Sequence, residues 1–209
     1  MLIESGIIDE AVADLEKTFT LPIPIKINFG SGLDGPSYFQ GEINMPYDFL
    51  MNNDQILTQT NYYETGEEAL AAILNTTEFV LYHEVGHALV DVLDIPVLGK
   101  QEDAVDGFAA ILSSIWDLDE IALSAADVLE ATTMLDSGSE IQDEEFWGAH
   151  SLNEQRMFAI FCMIYGSDPA EHKTLLSDVG MPADHHDKCT IDFQYTYRSW
   201  TRLLDGYLK

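Results

Sequence analysis

The chain has 209 residues, 46% hydrophobic and 11% aromatic, which is the composition of one globular core and excludes a disordered polypeptide. Its 37 Asp+Glu against 9 Lys+Arg give a formal net charge of -28, a surface that repels phosphate backbones and anionic lipid, so nucleic-acid and membrane-surface binding are disfavoured. No apolar run reaches the ~18 residues of a membrane-spanning helix, no Asp-rich loop has EF-hand spacing, and the opening Met1-Leu2-Ile3-Glu4-Ser5-Gly6 lacks the basic and apolar regions of an intact secretory signal.

Residues 7–19 carry Ile7, Ile8, Ala11, Val12, Leu15 and Phe19 at helical spacing, and Pro22 and Pro24 end that segment. Residues 23–29 alternate apolar and polar side chains as a strand does, with prolines suited to a strand start or a sheet edge. A Gly/Ser-rich loop over residues 30–37 leads to a second expected strand, Tyr38 to Met45. Everything beyond about residue 46 reads as helical. Thr65 and Glu68 have the spacing of a capping box and open a long helix that Asp94-Ile95-Pro96 stops near Leu93. Further helices are expected over about 101–116, 119–135, 152–165, 169–177 and 184–206. With no repeat, low-complexity tract or long linker, residues 1–209 read as one domain. The fold class is α+β, mostly helical, with a small N-terminal β-sheet.

The chemistry concentrates in His83-Glu84-Val85-Gly86-His87. Residues four apart on a helix share a face, with Cβ atoms roughly 5–6 Å apart, so both imidazoles can converge on one ion at the ~2.0–2.1 Å of a zinc–nitrogen bond. Glu84, one step round the helix, sits beside the ion without being aimed at it and can take a proton from a zinc-activated water. A catalytic zinc site needs a third protein ligand and an open fourth position. Glu102, on the next expected helix, is the first choice and Asp103 the competitor. Asp106, four residues after Glu102, can accept a hydrogen bond from the far nitrogen of a ligating histidine. Acids at the start of a helix are also favoured there by its dipole alone.

Those two stretches, His83 to His87 and Glu102-Asp103-Ala104-Val105-Asp106, resemble gluzincin-type (zincin-like) metallopeptidases, in which a glutamate of a second helix completes the metal site. Tyr82 to Leu89, Glu102 to Ala109, His150 to Arg156 and Cys162 to Pro169 also resemble a bacterial family of metallopeptidase-like proteins of uncharacterised activity, a likeness that Cys189 and Trp200 extend. The resemblance implies a Zn2+ cofactor, a peptide or protein substrate, and a histidine downstream that stabilises the oxyanion. His150 is the first choice for that histidine, with Tyr165 and Arg156 behind it. For Arg156 a buried salt bridge to an acid of the metal helices is the simpler expectation. The resemblance also favours a disulfide between Cys162 and Cys189, which would point to a periplasmic or secreted location. His185-His186-Asp187 reads as a solvated helix start, because adjacent helical residues point about 100° apart. The resulting expectation is zinc-dependent peptide hydrolysis. A metal-binding module without catalysis, or an acidic interaction domain, is the alternative; subsite preference and oligomeric state are not legible.

Overall fold

The computed structural model describes residues 2–32, 35–136 and 146–209, so residues 33 and 34 of the expected Gly/Ser loop lie outside the described residues. The fold is mostly helical with one three-stranded sheet. A short turn of helix, α1 (Leu2–Ser5), precedes the amphipathic α2 (Ile7–Thr18). The sheet comprises β1 (Lys26–Gly30), β2 (Ser37–Phe39) and β3 (Glu42–Pro46) in the order β1-β3-β2. β3 is central, parallel to β1 and antiparallel to β2, and it buries Ile43 and Met45.

Two expectations need correction in this region. The first strand starts at Lys26, after both prolines, because proline cannot donate to the ladder. The single strand expected over Tyr38 to Met45 is a hairpin. Gln40 and Gly41 both take positive φ, 48° and 86°, which is the requirement of a two-residue turn whose twist matches its strands.

Beyond the sheet come α3 (Tyr47–Thr60), α4 (Gly66–Val92), α5 (Gln101–Ile115), α6 (Asp119–Asp136), α7 (Asn153–Ser167), the short α8 (Leu175–Asp178) and, after one 3₁₀ turn, α9 (His186–Leu203). The expected helix over 169–177 is reduced to α8. Before it, the Asp168 carboxylate accepts from the backbone N–H groups of Ala170 and Glu171 and holds the chain in a turn.

The 27-residue α4 is the axis of the molecule. The expected capping box starts it: Thr65 Oγ1 accepts from Glu68 N, and Glu68 Oε2 accepts from Thr65 N. Asp94, at φ 51°, ends it by turning the chain, so that Ile95 folds back and is buried. From Ala72 to Val90 its side chains are buried on most faces, against α3, α5 and α6 and against the sheet.

Gly86 decides how closely α5 can approach. A Cβ at that position would lie 2.9 Å from both Cβ and Cγ1 of Val105 and 3.2 Å from Phe108. A β-branched side chain cannot retreat from such a contact by rotating a flexible end. On its outer side, α5 is backed by α9: Trp200 packs on Phe108 with ring centroids 4.7 Å apart and donates from Nε1 to Ala104 O. α9 in turn is tied to α7 by the disulfide Cys162–Cys189, as the resemblance implied. Among the described residues, no helix is long and apolar enough to cross a membrane.

Two stability outcomes follow from this packing. Gly86→Ala gains up to ~1 kcal/mol of helix propensity but faces an overpacking cost of roughly 1–3 kcal/mol; the clash should win, lowering the melting temperature, while Gly99→Ala, whose added Cβ meets nothing within 4 Å, should leave it unchanged. Replacing Cys162 and Cys189 together by alanine opens a bridge between residues 27 apart, and should cost on the order of 3 kcal/mol and lower the melting temperature in a thermal scan by roughly 6–12 °C.

Candidate metal centre

His83 and His87 point from one face of α4 toward the first turn of α5, and Glu102 meets them there. The three donor atoms form a near-equilateral triangle. His83 Nε2 is 3.2 Å from His87 Nε2, and Glu102 Oε2 is 3.2 Å from each of those nitrogens. A tetrahedral ion with bonds of ~2.0–2.1 Å has ligand–ligand edges of roughly 3.3–3.4 Å. The spacing therefore fits a single small divalent ion. The donor chemistry fits as well: His83 Nδ1 lies 2.8 Å from Asp106 Oδ1, and His87 Nδ1 lies 2.7 Å from Gln101 Oε1. Both of those partners are acceptors, so each imidazole keeps an N–H on Nδ1, and Nε2 can hold either a proton shared with Glu102 or, as a lone pair, a metal ion. Two lone pairs and a carboxylate oxygen aimed at one point call for positive charge between them. Among the described residues, this group of possible ligands stops at His83, His87 and Glu102, which leaves one corner of the tetrahedron without a protein donor.

The electrostatics agree. Burial disfavours the His83 cation, but hydrogen bonds to Asp106 and Glu102 outweigh it and raise its pKa to about 9. His87 is shifted upward too, against its own burial, by Glu102 and Gln101. Hydrogen bonds from His150, His83 and His87 hold the Glu102 carboxyl far below the usual carboxylate range. Burial alone would raise Asp106, yet His83 and Arg156 keep it at about 2. Burial pushes Glu84 up, and the neighbouring histidines only partly offset that.

Glu84 is 5% exposed and lines a cleft of about 770 Å³ that also contains the three possible ligands. One wall is β2, the edge of the sheet. Its Tyr38 hydroxyl accepts from Gly41 N and donates to Asp91 Oδ2 at 2.7 Å, one helical turn beyond His87, and so fixes the hairpin to α4. At the mouth, the half-exposed His150 places Nε2 3.0 Å from Glu102 Oε2. Lys100 holds the strand of chain around it by donating to the carbonyls of Gly148 and His150.

The other residues singled out in the sequence lie elsewhere. Asp103 faces away from the histidines and accepts from Ser151 Oγ at 2.7 Å. Arg156 forms the buried salt bridge, to Asp106. Tyr165 packs on His186 rather than lining the cleft. His185 pairs with Asp184, and His186 is directed at Met181 O. Sequence reasoning missed Gln101, Tyr38 and the packing role of Gly86. Gln101, just before Glu102 at the start of an expected helix, was the only one of the three with a positional signal.

A family model described as "Putative metallopeptidase" matches residues 1–204. The chain belongs to that family. Within this metallopeptidase family assignment, the His83, His87 and Glu102 group fits an HExxH-type site. Among curated proteins, and among solved structures, nothing matches the chain significantly. The disulfide is compatible with an extracellular location.

The shifts set a pH dependence. His83 binds its proton more tightly in the folded chain than at the ordinary value of about 6.5, so in metal-free protein its contribution to stability is fully present below about 6.5 and is lost as pH rises through about 9. The melting temperature of chelator-treated protein should therefore fall between pH 6.5 and 9. A divalent ion bound in the triangle would take the place of the proton, so a saturating metal should remove most of that fall; a flat profile without metal would contradict the upward shift of His83.

Proposed function

We propose that this chain is a zinc-dependent peptidase, one metallopeptidase-like domain over residues 1–209, in which His83, His87 and Glu102 hold the ion and Glu84 is the general base. The observation that carries this reading is the triangle of donor atoms 3.2 Å apart, set in the wall of an open cleft with a buried glutamate beside it. Zinc bound there would supply Lewis acidity and lower the pKa of a water it binds from about 15.7 to about 7.

The rest of the chemistry falls to the chain's own residues. Glu84 follows His83 directly, so its carboxylate lies beside the ligand triangle and not within it. Its raised proton affinity suits a group that accepts a proton from water at neutral pH and returns it to the leaving amine. His150 reaches the same Glu102 oxygen from the mouth of the cleft, close enough for its ring N–H to stabilise charge developing on the scissile carbonyl oxygen. β2 ends the sheet and forms a wall of the cleft. An extended peptide can lie against such an edge through main-chain hydrogen bonds, a route that an acidic, unspecialised surface does not offer. The divided role of the acids, one as ligand and one as base, distinguishes this reading from a metal store, in which Glu84 would have no task.

Two variants test it on a pool of fluorogenic peptides. Glu84→Gln should keep close to one zinc per chain and lose at least ~100-fold in kcat/KM. His87→Ala should lose both zinc and turnover. Retained activity in Glu84→Gln would remove Glu84 as the base, and zinc-replete wild-type protein with no turnover would favour the non-catalytic alternative.

A further inference from the structure

We infer that Arg156 is a positioning residue for the metal centre, acting through Asp106 on His83. The inference rests on the proposed role of His83 as a ligand. Arg156 comes from the first turn of α7, Asp106 from α5 and His83 from α4, so three helices meet in one chain of contacts. The guanidinium takes both carboxylate oxygens: Nε donates to Oδ2 at 2.7 Å and Nη2 to Oδ1 at 3.0 Å. His83 Nδ1 donates to that same Oδ1 at 2.8 Å.

A carboxylate held by one contact can rotate about its own bonds, whereas one gripped at both oxygens by a planar fork cannot. The fork therefore fixes where Oδ1 sits, and Oδ1 fixes the plane and tautomer of the imidazole whose other nitrogen faces the ligand triangle. Burial makes this anchor necessary. The side chain of Asp106 is 5% exposed and that of Arg156 19%, and a desolvated carboxylate without its cation would turn toward water and leave Nδ1 behind.

Among the described residues, the nearby polar side chains are already engaged. Ser151 is committed to Asp103, and Gln155 reaches back to Leu152 N. Lysine, a single point charge on a flexible stem, cannot reproduce the fork. His87, on the more exposed side of the site, is oriented differently, by the neutral amide of Gln101, which needs no counter-charge. The chain has only 9 Lys+Arg, and one of them is spent on this contact behind the ligands.

The test compares wild type, Arg156→Met, Asp106→Asn, the double variant and Arg156→Lys, measuring the zinc Kd by chelator competition below each protein's melting temperature and the visible spectrum of the Co2+-loaded forms. Arg156→Met should weaken zinc binding by roughly 10–100-fold and shift the cobalt bands, as outer partners of metal ligands do when removed. The double variant should be no weaker than its weaker parent, because Arg156 acts through Asp106. Arg156→Lys should fall between wild type and Arg156→Met. Zinc affinity of Arg156→Met within about twofold of wild type, or a double variant carrying the product of both losses, would overturn the inference. Should Arg156→Met fail to fold, Arg156→Lys decides: weaker zinc binding at an unchanged melting temperature supports the inference, and unchanged binding overturns it. Wild-type protein that binds no zinc would sink the ligand assignment, and this inference with it; wild-type binding with every Arg156 variant unaltered would sink this inference alone.

Discussion

Between the two histidines of α4 there is a residue with no side chain, and the distance from α4 to α5 depends on it. Helix axes pack 8–10 Å apart according to the side chains at the contact. Gly86 faces Val105 with no room for a methyl group, which places this pair at the close end. The approach matters because α5 delivers two partners at once: Glu102 to the triangle of donor atoms and Asp106 to the rear of His83. A wider gap would leave Glu102 short of both nitrogens. The backing of α5 by Trp200, and the disulfide that holds α9 against α7, act in the same direction. They press α5 toward α4 from the side away from the cleft.

The second constraint is charge. A chain with a formal net charge of -28 places Glu84, Glu102 and Asp106 within one small region, where each raises the cost of the others. The region is held together by positive charge drawn from a small supply. Arg156 meets Asp106 from behind. In the absence of metal, the elevated proton affinities of His83 and His87 do part of the same work in front. A divalent cation in the triangle would do it better, since one ion meets all three donors. The site therefore has the electrostatics of a place suited to a cation.

Much of this was legible in the sequence, for reasons that differ by residue. His83, Glu84 and His87 could be read because helical spacing alone puts them together, and the capping box at Thr65 fixed where their helix begins. Glu102 was favoured over Asp103, although the choice turns on helix phase at its first turn, a detail that a sequence does not carry. The structure shows Glu102 with the histidines and Asp103 turned toward Ser151. The hairpin was missed because its turn is Gln40-Gly41 and not the Asn-Gly or Asp-Gly pair that announces two residues with positive φ. α3 escaped notice as a separate helix because few of its positions are buried, with Leu50, Asn53 and Leu57 forming a narrow stripe. The salt bridge of Arg156 to an acid of the metal helices was expected, but that the acid is Asp106, 50 residues away, was not, and Tyr38 meets Asp91 53 residues away; no local pattern encodes contacts at that range.

The central claim concerns a single point in space, so the most direct measurement is crystallographic: anomalous diffraction at the zinc absorption edge from crystals of zinc-loaded wild-type protein. The account predicts one strong anomalous peak about 2.0–2.1 Å from His83 Nε2, His87 Nε2 and a Glu102 oxygen, with solvent in the fourth position facing the cleft. A peak located elsewhere, or an ion whose fourth corner is closed by His150 or another side chain, would contradict it.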